Sequence, residues 1–450
     1  MANRFKGRRA ARAGVTLTRA QEHVLAARAA DGQGPLWTIS EYIVLDGDVD
    51  DAVLRRAAAY VATAAEPLVV RIDEKAHTQV TGAGTTVVVE EIDLRRAADP
   101  EEAARRFAAD RLASPPRAPR VRLALVRTSA TRVRLLLECD LAVADGYTAA
   151  RVRAAIARAY TDLVEGRTLQ ADPIRPLRAL RDAESGYLAS RDRAEDAAYW
   201  RAAGLPGPTT LPGGAPSGAP NGQVRAPLLP VPAELVGSLD AEARAVGVRN
   251  FTVAVVAAAL VAARRTGAER VRVDLPVSGR IDETGLDTDG AAGTTIAVRV
   301  DLPPAGTVRE CLRAVDASIR QAFLHQRGRP LDGEHGSTGL VVNYLQPIPE
   351  DFAGVPGGTE VINAGPVRHL AFVALAMDDG LVLDVRGRAG VFDDEQVAAL
   401  AAEWRGAIAA LVADPDAPLG PLREAVVASE PATPDAAAEG TAVGGDDVAL

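Results

Sequence analysis

The segment FTVAVVAAALVAA, at residues 251–263, constrains the fold more than any other part of the sequence. A helix that crosses a membrane needs about 20 apolar residues in a row, so this segment is too short to span a bilayer. Its length and composition are typical of a helix buried inside a protein, and the strand candidate RVRVDLPVS follows it closely. We therefore expect helices and strands packed around this segment, and no membrane span.

Helix and strand patterns are mixed along the chain, and the mixture occurs twice. In the first half, WTISEYIVLDG (37–47) predicts a strand, residues 48–65 a helix, and PLVVRI a further strand. VRLALVRT and RVRLLLECD predict a pair of strands. A second half of similar order begins near residue 181, and its Pro-, Gly- and Ser-rich stretch at 208–223 predicts a loop. This order predicts two α/β lobes that meet along a cleft, where small-molecule sites tend to lie.

Composition excludes several classes of function. The chain has 450 residues and a net charge of −9, which argues against nucleic-acid binding because that needs a basic face. Two cysteines, Cys139 and Cys311, are too few for a disulfide framework and lack metal-ligand spacing, so we expect a cytoplasmic protein without a metal. Residues 1–14 are expected to form a disordered basic arm, and residues 426–450 a disordered acidic tail.

The stretch LLLECDLAVADGYTAARVR, residues 135–153, marks the candidate site. An apolar strand leads to Asp145-Gly146, where glycine permits a tight turn, and an amphipathic helix follows. Because neighbouring residues of a strand point to opposite faces, Asp140 is expected to point away from the side that residue 141 faces, whereas Cys139 shares that side.

These blocks resemble the condensation domains of nonribosomal peptide synthetases, which belong to the chloramphenicol acetyltransferase-like superfamily. The resemblance covers roughly residues 15–425. It is carried by the order and spacing of four blocks: LTRAQEHVL; the segment 251–280, which ends in PVSGR; LHQ; and VVNYL. It implies an α/β (α+β) fold of two acetyltransferase-like lobes, residues 15–180 and 181–425, in a V-shaped pseudo-dimer with a central tunnel.

The family signature is two histidines, three variable residues and Asp-Gly. Aligning it on Asp145-Gly146 puts the histidine positions at Asp140 and Leu141, so the motif is degenerate. The second histidine is the one assigned to catalysis in the family, and a leucine cannot accept or donate a proton. Positioned acid–base groups contribute about 10²–10⁴-fold in rate. The resemblance also implies a structural ion pair between Asp145 and Arg280 of PVSGR.

Three side chains are candidates for the missing chemistry. Asp140 is either a proton acceptor or a carboxylate paired with a nearby arginine, and Cys139 is either a nucleophile or a small buried hydrophobe. His369 begins a strand of the second lobe and is a candidate base facing the cleft. The resemblance assigns five further residues to the substrate tunnel: Leu141, Gly146, Tyr147, Ser278 and Asn343.

Two kinds of function stay open. The first is a free-standing enzyme of antibiotic or other secondary metabolism, which joins an acyl or aminoacyl group to an amine or hydroxyl acceptor. The resemblance implies delivery of that group on the phosphopantetheine of an acyl or peptidyl carrier protein, without another cofactor. Proximity and orientation, worth about 7–11 kcal/mol, would then supply the rate, or the cleft would cyclise or eliminate a bound intermediate. The second is a non-catalytic module that recruits partners to a carrier protein.

Overall fold

The structure of the chain is a computed structural model. It describes residues 15–31, 34–80, 85–117, 119–170, 173–213, 222–281, 286–328, 339–346, 350–377 and 380–424. The predicted basic arm (1–14) and acidic tail (426–450) lie outside the described residues, so both stay predictions.

The first part of the chain alternates helices and strands. Its elements are β1 (Val15–Thr16), α1 (Arg19–Asp31), β2 (Thr38–Asp46), α2 (Asp51–Ala64), α3 (Glu66–Val69), β3 (Arg71–Asp73), β4 (Thr78–Val80), β5 (Val89–Asp93), α4 (Pro100–Leu112), β6 (Val121–Arg127), β7 (Arg132–Asp140), α5 (Gly146–Val164), α6 (Leu177–Ala189) and α7 (Asp192–Ala202). Aspartates set where three of these helices begin: Asp50 caps α2, Asp99 caps α4, and Asp145 caps α5 by accepting a hydrogen bond from the Thr148 amide. These carboxylates satisfy amides that the first helical turn leaves unpaired.

The second part repeats the mixture. Its elements are β8 (Gln223–Arg225), β9 (Leu229–Val231), α8 (Ala233–Val246), α9 (Asn250–Thr266), β10 (Arg270–Val277), β11 (Thr294–Asp301), α10 (Val308–Leu324), β12 (Leu340–Leu345), β13 (Glu350–Phe352), β14 (Val355–Ala364), β15 (Leu370–Met377), β16 (Gly380–Arg388), α11 (Asp394–Ala413) and α12 (Leu419–Glu424). Every residue of α9 from Thr252 to Ala263 is buried. The helix packs among α8, α10, α11 and β10, which confirms the prediction of a buried helix.

Two large sheets carry the described part of the fold. The first has the strand order β13-β14-β2-β7-β6-β5, and the second has β11-β10-β12-β15-β16-β8, with β9 also pairing with β16. β6 and β7 form the predicted pair of strands and run antiparallel, whereas β5 joins β6 in parallel. Helices α2 and α5 pack against each other beside the first sheet, and α9 and α11 do the same beside the second.

The first sheet takes two strands from the second half of the chain. β14 pairs antiparallel with β2, with Glu360 opposite Tyr42, and a bulge between Val361 and Asn363 shifts the register. The predicted lobe of residues 181–425 therefore needs correction, because residues 350–364 complete the sheet of the first lobe. Strand β7 fills only one edge of β2, and the amide and carbonyl groups of the other edge need hydrogen-bond partners once they are buried.

The segment PLVVRI differs from its predicted structure. Glu66–Val69 form the short helix α3 with Pro67 in its first turn, and only Arg71–Asp73 form a strand. Proline is favoured in the first turn of a helix because its missing amide would have no partner there. The local effect of one proline outweighs the β-branched residues that follow it.

The buried side chain of Asn363 links the two sheets. Its Nδ2 donates to the carbonyl oxygens of Leu36 (3.0 Å) and Thr38, and its Oδ1 accepts from Gln223 Nε2 at 2.6 Å. Thr38 belongs to β2 of the first sheet and Gln223 to β8 of the second. Asn363 is fully buried and belongs to β14, the strand that crosses from the second half of the chain to the first sheet. Its hydrogen bonds therefore fix how this crossing strand enters the first sheet.

Among the residues that the structure describes, two apolar segments meet length and composition criteria for crossing a membrane: helix α11, and the bent pair of α8 and α9 taken together. Both lie in the hydrophobic core of the second lobe. Trp404 of α11 is fully buried, and its Nε1 donates to the Ala254 carbonyl of α9 at 3.0 Å. Packing of this kind is what a helix in a protein core requires.

Candidate functional site

The candidate site is a tight turn between β7 and α5. β7 ends at Asp140, and α5 begins at Gly146. The Asp140 carbonyl accepts hydrogen bonds from the amides of Val143 (2.9 Å) and Ala144 (3.2 Å). These bonds fold the backbone back on itself directly after the strand, so residues 141 and 145 are presented from a compact, hydrogen-bonded turn.

Asp145 is the hub of this turn. Its Oδ1 accepts from the Thr148 amide at 2.9 Å. Its Oδ2 accepts from Arg280 Nη1 (2.8 Å) and from the amides of Ala292 (3.0 Å) and Gly293 (2.8 Å). Burial alone would raise the pKa of Asp145, but the charge and hydrogen bond of Arg280 outweigh burial and leave the pKa below its usual value. Asp145 is therefore a fixed anion that joins the two halves of the chain.

Arg280 completes the pair from the other side. Its side chain is 1% exposed. Besides Asp145, it donates to three backbone carbonyls: Ser278 from Nη1 (2.8 Å), Thr288 from Nε (3.1 Å) and Gly290 from Nη2 (3.0 Å). A buried guanidinium needs this many acceptors to offset its desolvation. The structure thus brings together the two residues that the resemblance pairs.

Asp140 is engaged by two arginines. Arg28 Nη1 lies 3.3 Å from Oδ1 and 3.2 Å from Oδ2 of the carboxylate, and Arg120 Nη1 also donates to Oδ2. Asp140 is 2% exposed. Of the two sequence interpretations, the paired carboxylate fits this geometry, and an open proton acceptor does not.

Leu141 occupies the centre of the turn. Its amide donates to the Trp37 carbonyl at 3.0 Å, and its side chain is half-buried. A Cβ added at Gly365 would meet Leu141 Cδ1 at 3.1 Å, and Gly365 has a φ of +114°. The leucine therefore lies against the backbone that follows the crossing strand β14. The Leu141 side chain itself carries no group that can accept or donate a proton.

Cys139 does not lie on an open surface shared with Leu141, so the expectation that the two residues face the same side is corrected. Its side chain is fully buried in the hydrophobic core beneath the first sheet. Burial, with added repulsion from the carboxylates of Glu41 and Glu138, raises the pKa of the thiol well above its ordinary value. A neutral, enclosed thiol is not a nucleophile. The face argument fails because the strand ends at Asp140, before residue 141.

His369 does not serve as an open base at the cleft. It is 9% exposed, its Nε2 accepts from the Leu211 amide at 2.7 Å, and its ring packs edge-on against Phe392 at 5.1 Å between centroids. Burial lowers its pKa. Leu211 lies in the described segment 203–213, and the sequence pattern could not show that this segment meets the start of β15, so the candidate base already has a donor.

Three of the predicted tunnel residues cluster around the ion pair. Gly146 is exposed at the start of α5. The Tyr147 hydroxyl donates to the Leu286 carbonyl at 2.8 Å, and Arg280 lies 4.6 Å from the ring centroid of this tyrosine. Ser278 is half-buried, and its Oγ accepts from the Arg280 amide at 3.3 Å. Asn343 is half-buried in β12, where its Oδ1 accepts from the Tyr344 amide.

A cavity of about 750 Å³ lies next to this cluster. Helix α6, the start of α1 and residues 279–281 and 287–292 line this open-sided cavity, and the lining includes Leu180, Ala183, Tyr187, Arg280, Ala291 and Gln326. Cavities of roughly 300–1,000 Å³ suit small-molecule ligands. The sequence did not indicate the contribution of α6, because a helix in a polar connector gives no sign of what it faces.

The remaining described histidines and acids do not form a metal site. His77 Nδ1 lies 2.7 Å from Glu22, and His325 Nδ1 lies 2.7 Å from Asp196. Within the described ranges, no three His, Cys, Asp or Glu side chains are placed to hold an ion. The chemistry available near the turn is therefore that of a braced cleft with its charges already paired.

Comparison of the sequence with curated proteins identifies relatives of this chain. It is 27% identical to a dimodular nonribosomal peptide synthase of Bacillus subtilis, over 85% of this chain and 17% of that protein. It is 28% identical to an isonitrile lipopeptide synthase of Streptomyces coeruleorubidus, over 90% of this chain and 29% of that protein. The chain thus spans less than a third of the length of either relative.

Comparison with solved structures shows that the fold is similar to that of condensation domains. The first condensation domain of the calcium-dependent antibiotic synthetase, in complex with a substrate analogue, superposes with a TM-score of 0.81 at 28% identity, over 91% of this chain and 98% of that one. The starter condensation domain of rhizomide synthetase, in complex with C8-CoA, gives 0.80 at 22% identity, over 90% and 96%. The family profile described as Condensation domain matches residues 12–330. Profile, relatives and fold agree that this chain belongs to the condensation-domain family.

Proposed function

We propose that the chain forms an amide or ester bond in bacterial natural-product biosynthesis. The donor is an acyl or aminoacyl thioester on the phosphopantetheine of a carrier protein, and the acceptor is an amine or hydroxyl. The acceptor atom bonds to the thioester carbonyl carbon, the C–S bond breaks, and the proton lost by the acceptor ends on the departing thiolate. Family membership supports this class of reaction, and a cytoplasmic location is part of the proposal.

The observation that carries the proposal is the buried Asp145–Arg280 pair. Burying two charges costs several kcal/mol per ion, on the order that their attraction returns, so such a pair is weak evidence for stability. Its presence is better explained by the geometry it imposes, since one carboxylate holds α5, the PVSGR loop and residues 292–293 together. The turn is therefore braced as a working site requires.

Orientation has to supply most of the rate in this proposal. Asp140, Cys139 and His369 are each occupied or enclosed, so none of the three accepts the proton of the acceptor. Holding two reactants in register can contribute about 7–11 kcal/mol. A strongly nucleophilic amine needs less help from a base than a hydroxyl does, so amines are the preferred acceptors.

The 750 Å³ cavity beside Arg280 is the proposed position of the acceptor. For the donor, one curated relative is named as a synthase of an isonitrile lipopeptide. We therefore include a medium-chain acyl thioester among the donors to be tested, alongside aminoacyl thioesters.

A non-catalytic recruiting role is the second candidate, and the position of Leu141 favours it. The side chain lies against Gly365 and places an apolar group where the family motif has an imidazole. In that role the cleft binds a carrier-bound intermediate and presents it to another enzyme, and no bond changes.

Intact-protein mass spectrometry separates the two roles. The chain is mixed with a carrier protein loaded with an octanoyl or aminoacyl thioester and with a panel of amines. Loss of the acyl mass from the carrier and appearance of the amide support the enzyme. A stable complex with the carrier in native spectra, without turnover, supports recruitment. If neither turnover nor a stable complex is observed, both roles are rejected.

Substitution at position 141 provides the matched test. If the brace still presents this position correctly, Leu141→His raises the rate, with about 10²–10⁴-fold as the full contribution of a positioned base. Leu141→Phe is the control, because it adds a ring of similar breadth that handles no proton. Equal rates for the two variants would show that position 141 does not face the reacting groups.

A further inference from the structure

We infer that Asp140 is a positioning residue: its carboxylate fixes the turn that presents residue 141 and ties that turn to helix α1 and to the start of β6. The positioning itself stands on geometry alone. Its effect on turnover rests on the proposed function.

The Asp140 carboxylate holds the backbone directly after Leu141. Asp140 Oδ1 accepts a hydrogen bond from the Ala142 amide at 2.8 Å. The Leu141 amide is held separately by the Trp37 carbonyl at 3.0 Å. Both peptide groups that flank the Leu141 side chain are therefore fixed, and one of the two bonds depends on a side chain that substitution can remove.

The same carboxylate belongs to a closed set of charges. Arg28, near the end of α1, and Arg120, just before β6, both donate to Asp140. Their second nitrogens both donate to Glu74, at 3.1 Å and 3.0 Å. The charges of two carboxylates and two guanidinium groups sum to zero in this cluster. The Glu74 side chain is 52% exposed, whereas that of Asp140 is 2% exposed. Asp140 is thus the buried anion on which both arginines converge.

This arrangement explains why the first histidine of the family motif cannot simply be restored here. A neutral imidazole offers one acceptor nitrogen, and a protonated one offers none. Neither form matches two guanidinium groups and a backbone amide. Residue 140 is therefore coupled to Arg28 and Arg120, whereas residue 141 has no such charged partner and can be changed independently.

Amide hydrogen exchange tests the positioning without any substrate. In Asp140→Ala, exchange at Ala142 is expected to rise about tenfold, the factor that the loss of one net hydrogen bond implies. In Asp140→Asn, the amide oxygen can still accept from Ala142, so exchange there is expected to stay within about threefold. Glu74→Gln is the matched control, since it changes the same cluster without touching the turn, and exchange at Ala142 is expected to be unchanged.

Unchanged exchange at Ala142 in a folded Asp140→Ala protein overturns the inference. If the alanine variant does not fold on its own, Asp140→Ala combined with Arg28→Gln replaces it, because this pair of changes also removes one of the two arginines left without a counter-ion. Unaltered exchange at Ala142 in the double variant is then the overturning result.

Steady-state kinetics give the readout that a purely structural role would not produce. In Asp140→Ala, kcat is expected to fall while KM for the loaded carrier stays within twofold, and Asp140→Asn is expected to recover most of kcat. Parallel losses in both variants that follow their thermal stability contradict positioning. If wild type shows no turnover, the proposed function fails, while the exchange result still decides the inference.

Discussion

Replacement of Asp145 by alanine is the sharpest test of the brace at the candidate site. The substitution leaves the 1% exposed Arg280 side chain without its counter-ion and removes the acceptor of three backbone amides. Breaking a buried ion pair by removing one partner costs about 3–5 kcal/mol. Loss of the α5 cap costs about 0.5–2 kcal/mol, but one carboxylate makes both interactions, so the two costs overlap. We expect a loss of about 4 kcal/mol, a factor of nearly 10³ in the unfolding equilibrium.

Urea unfolding at pH 7, followed by circular dichroism, measures this loss. Asp145→Asn keeps the size of the side chain but turns donors toward amides that are also donors, so it is expected to lose most of the same free energy. Asp46→Ala is the control, since Asp46 also pairs with an arginine, Arg132, but both side chains are substantially exposed. Its expected cost is below about 1 kcal/mol.

The lowered pKa of Asp145 adds a pH signature. A carboxyl group whose pKa is lowered by folding stabilises the protein above its unfolded pKa of about 3.9, and that stability is lost as the pH falls through the lowered value. The difference between wild type and Asp145→Ala is therefore expected to be constant near neutral pH and to shrink below about pH 4. If Asp145→Ala costs no more than Asp46→Ala at pH 7, the pair is not desolvated and the reasoning is wrong.

Three further outcomes are expected. Gly365→Ala should destabilise by about 1–3 kcal/mol in urea unfolding, because a φ of +114° is unfavourable for alanine and its Cβ would press on Leu141; an unchanged midpoint would contradict that backbone conformation. The His369 imidazole should titrate below 6.5 in NMR spectra, so its contribution to stability should rise with pH between the lowered pKa and 6.5; a midpoint at or above 6.5 would show that the ring is solvated. In a Cys311→Ser variant, Cys139 should resist thiol reagents until the protein unfolds, because it is fully buried and its pKa is raised; rapid labelling of the native protein would contradict its burial.

Local patterns predicted much of the fold. The apolar run at 251–263 gave a buried helix because its composition leaves no polar face to expose. The runs VRLALVRT and RVRLLLECD predicted a pair of strands, and the structure shows that the two strands pair antiparallel. The ion pair of Asp145 and Arg280 followed from the resemblance alone, since nothing local connects residues that lie 135 positions apart.

The missed features depend on distant partners. Strand β14, VPGGTEVINA, contains proline and two glycines, which are depleted in strands. Its pairing with β2, more than 300 residues earlier in the chain, stabilises it where its own propensity does not. The pairing of Asp140 also depends on a distant partner, because Arg28 lies 112 residues away in the sequence. Alternation along a strand could predict which way Asp140 faces but not which cations meet it.

The crossing of β14 bears on how chains of this kind can be recombined. A graft that joins the first 180 residues of one relative to the remainder of another would match β2 with a foreign β14 and a foreign Asn363 contact. Alone, that first segment would present the bare edge of β2 as a template for association with other chains. Exchanges between relatives should therefore transfer residues 350–364 together with the amino-terminal half, as a discontinuous module.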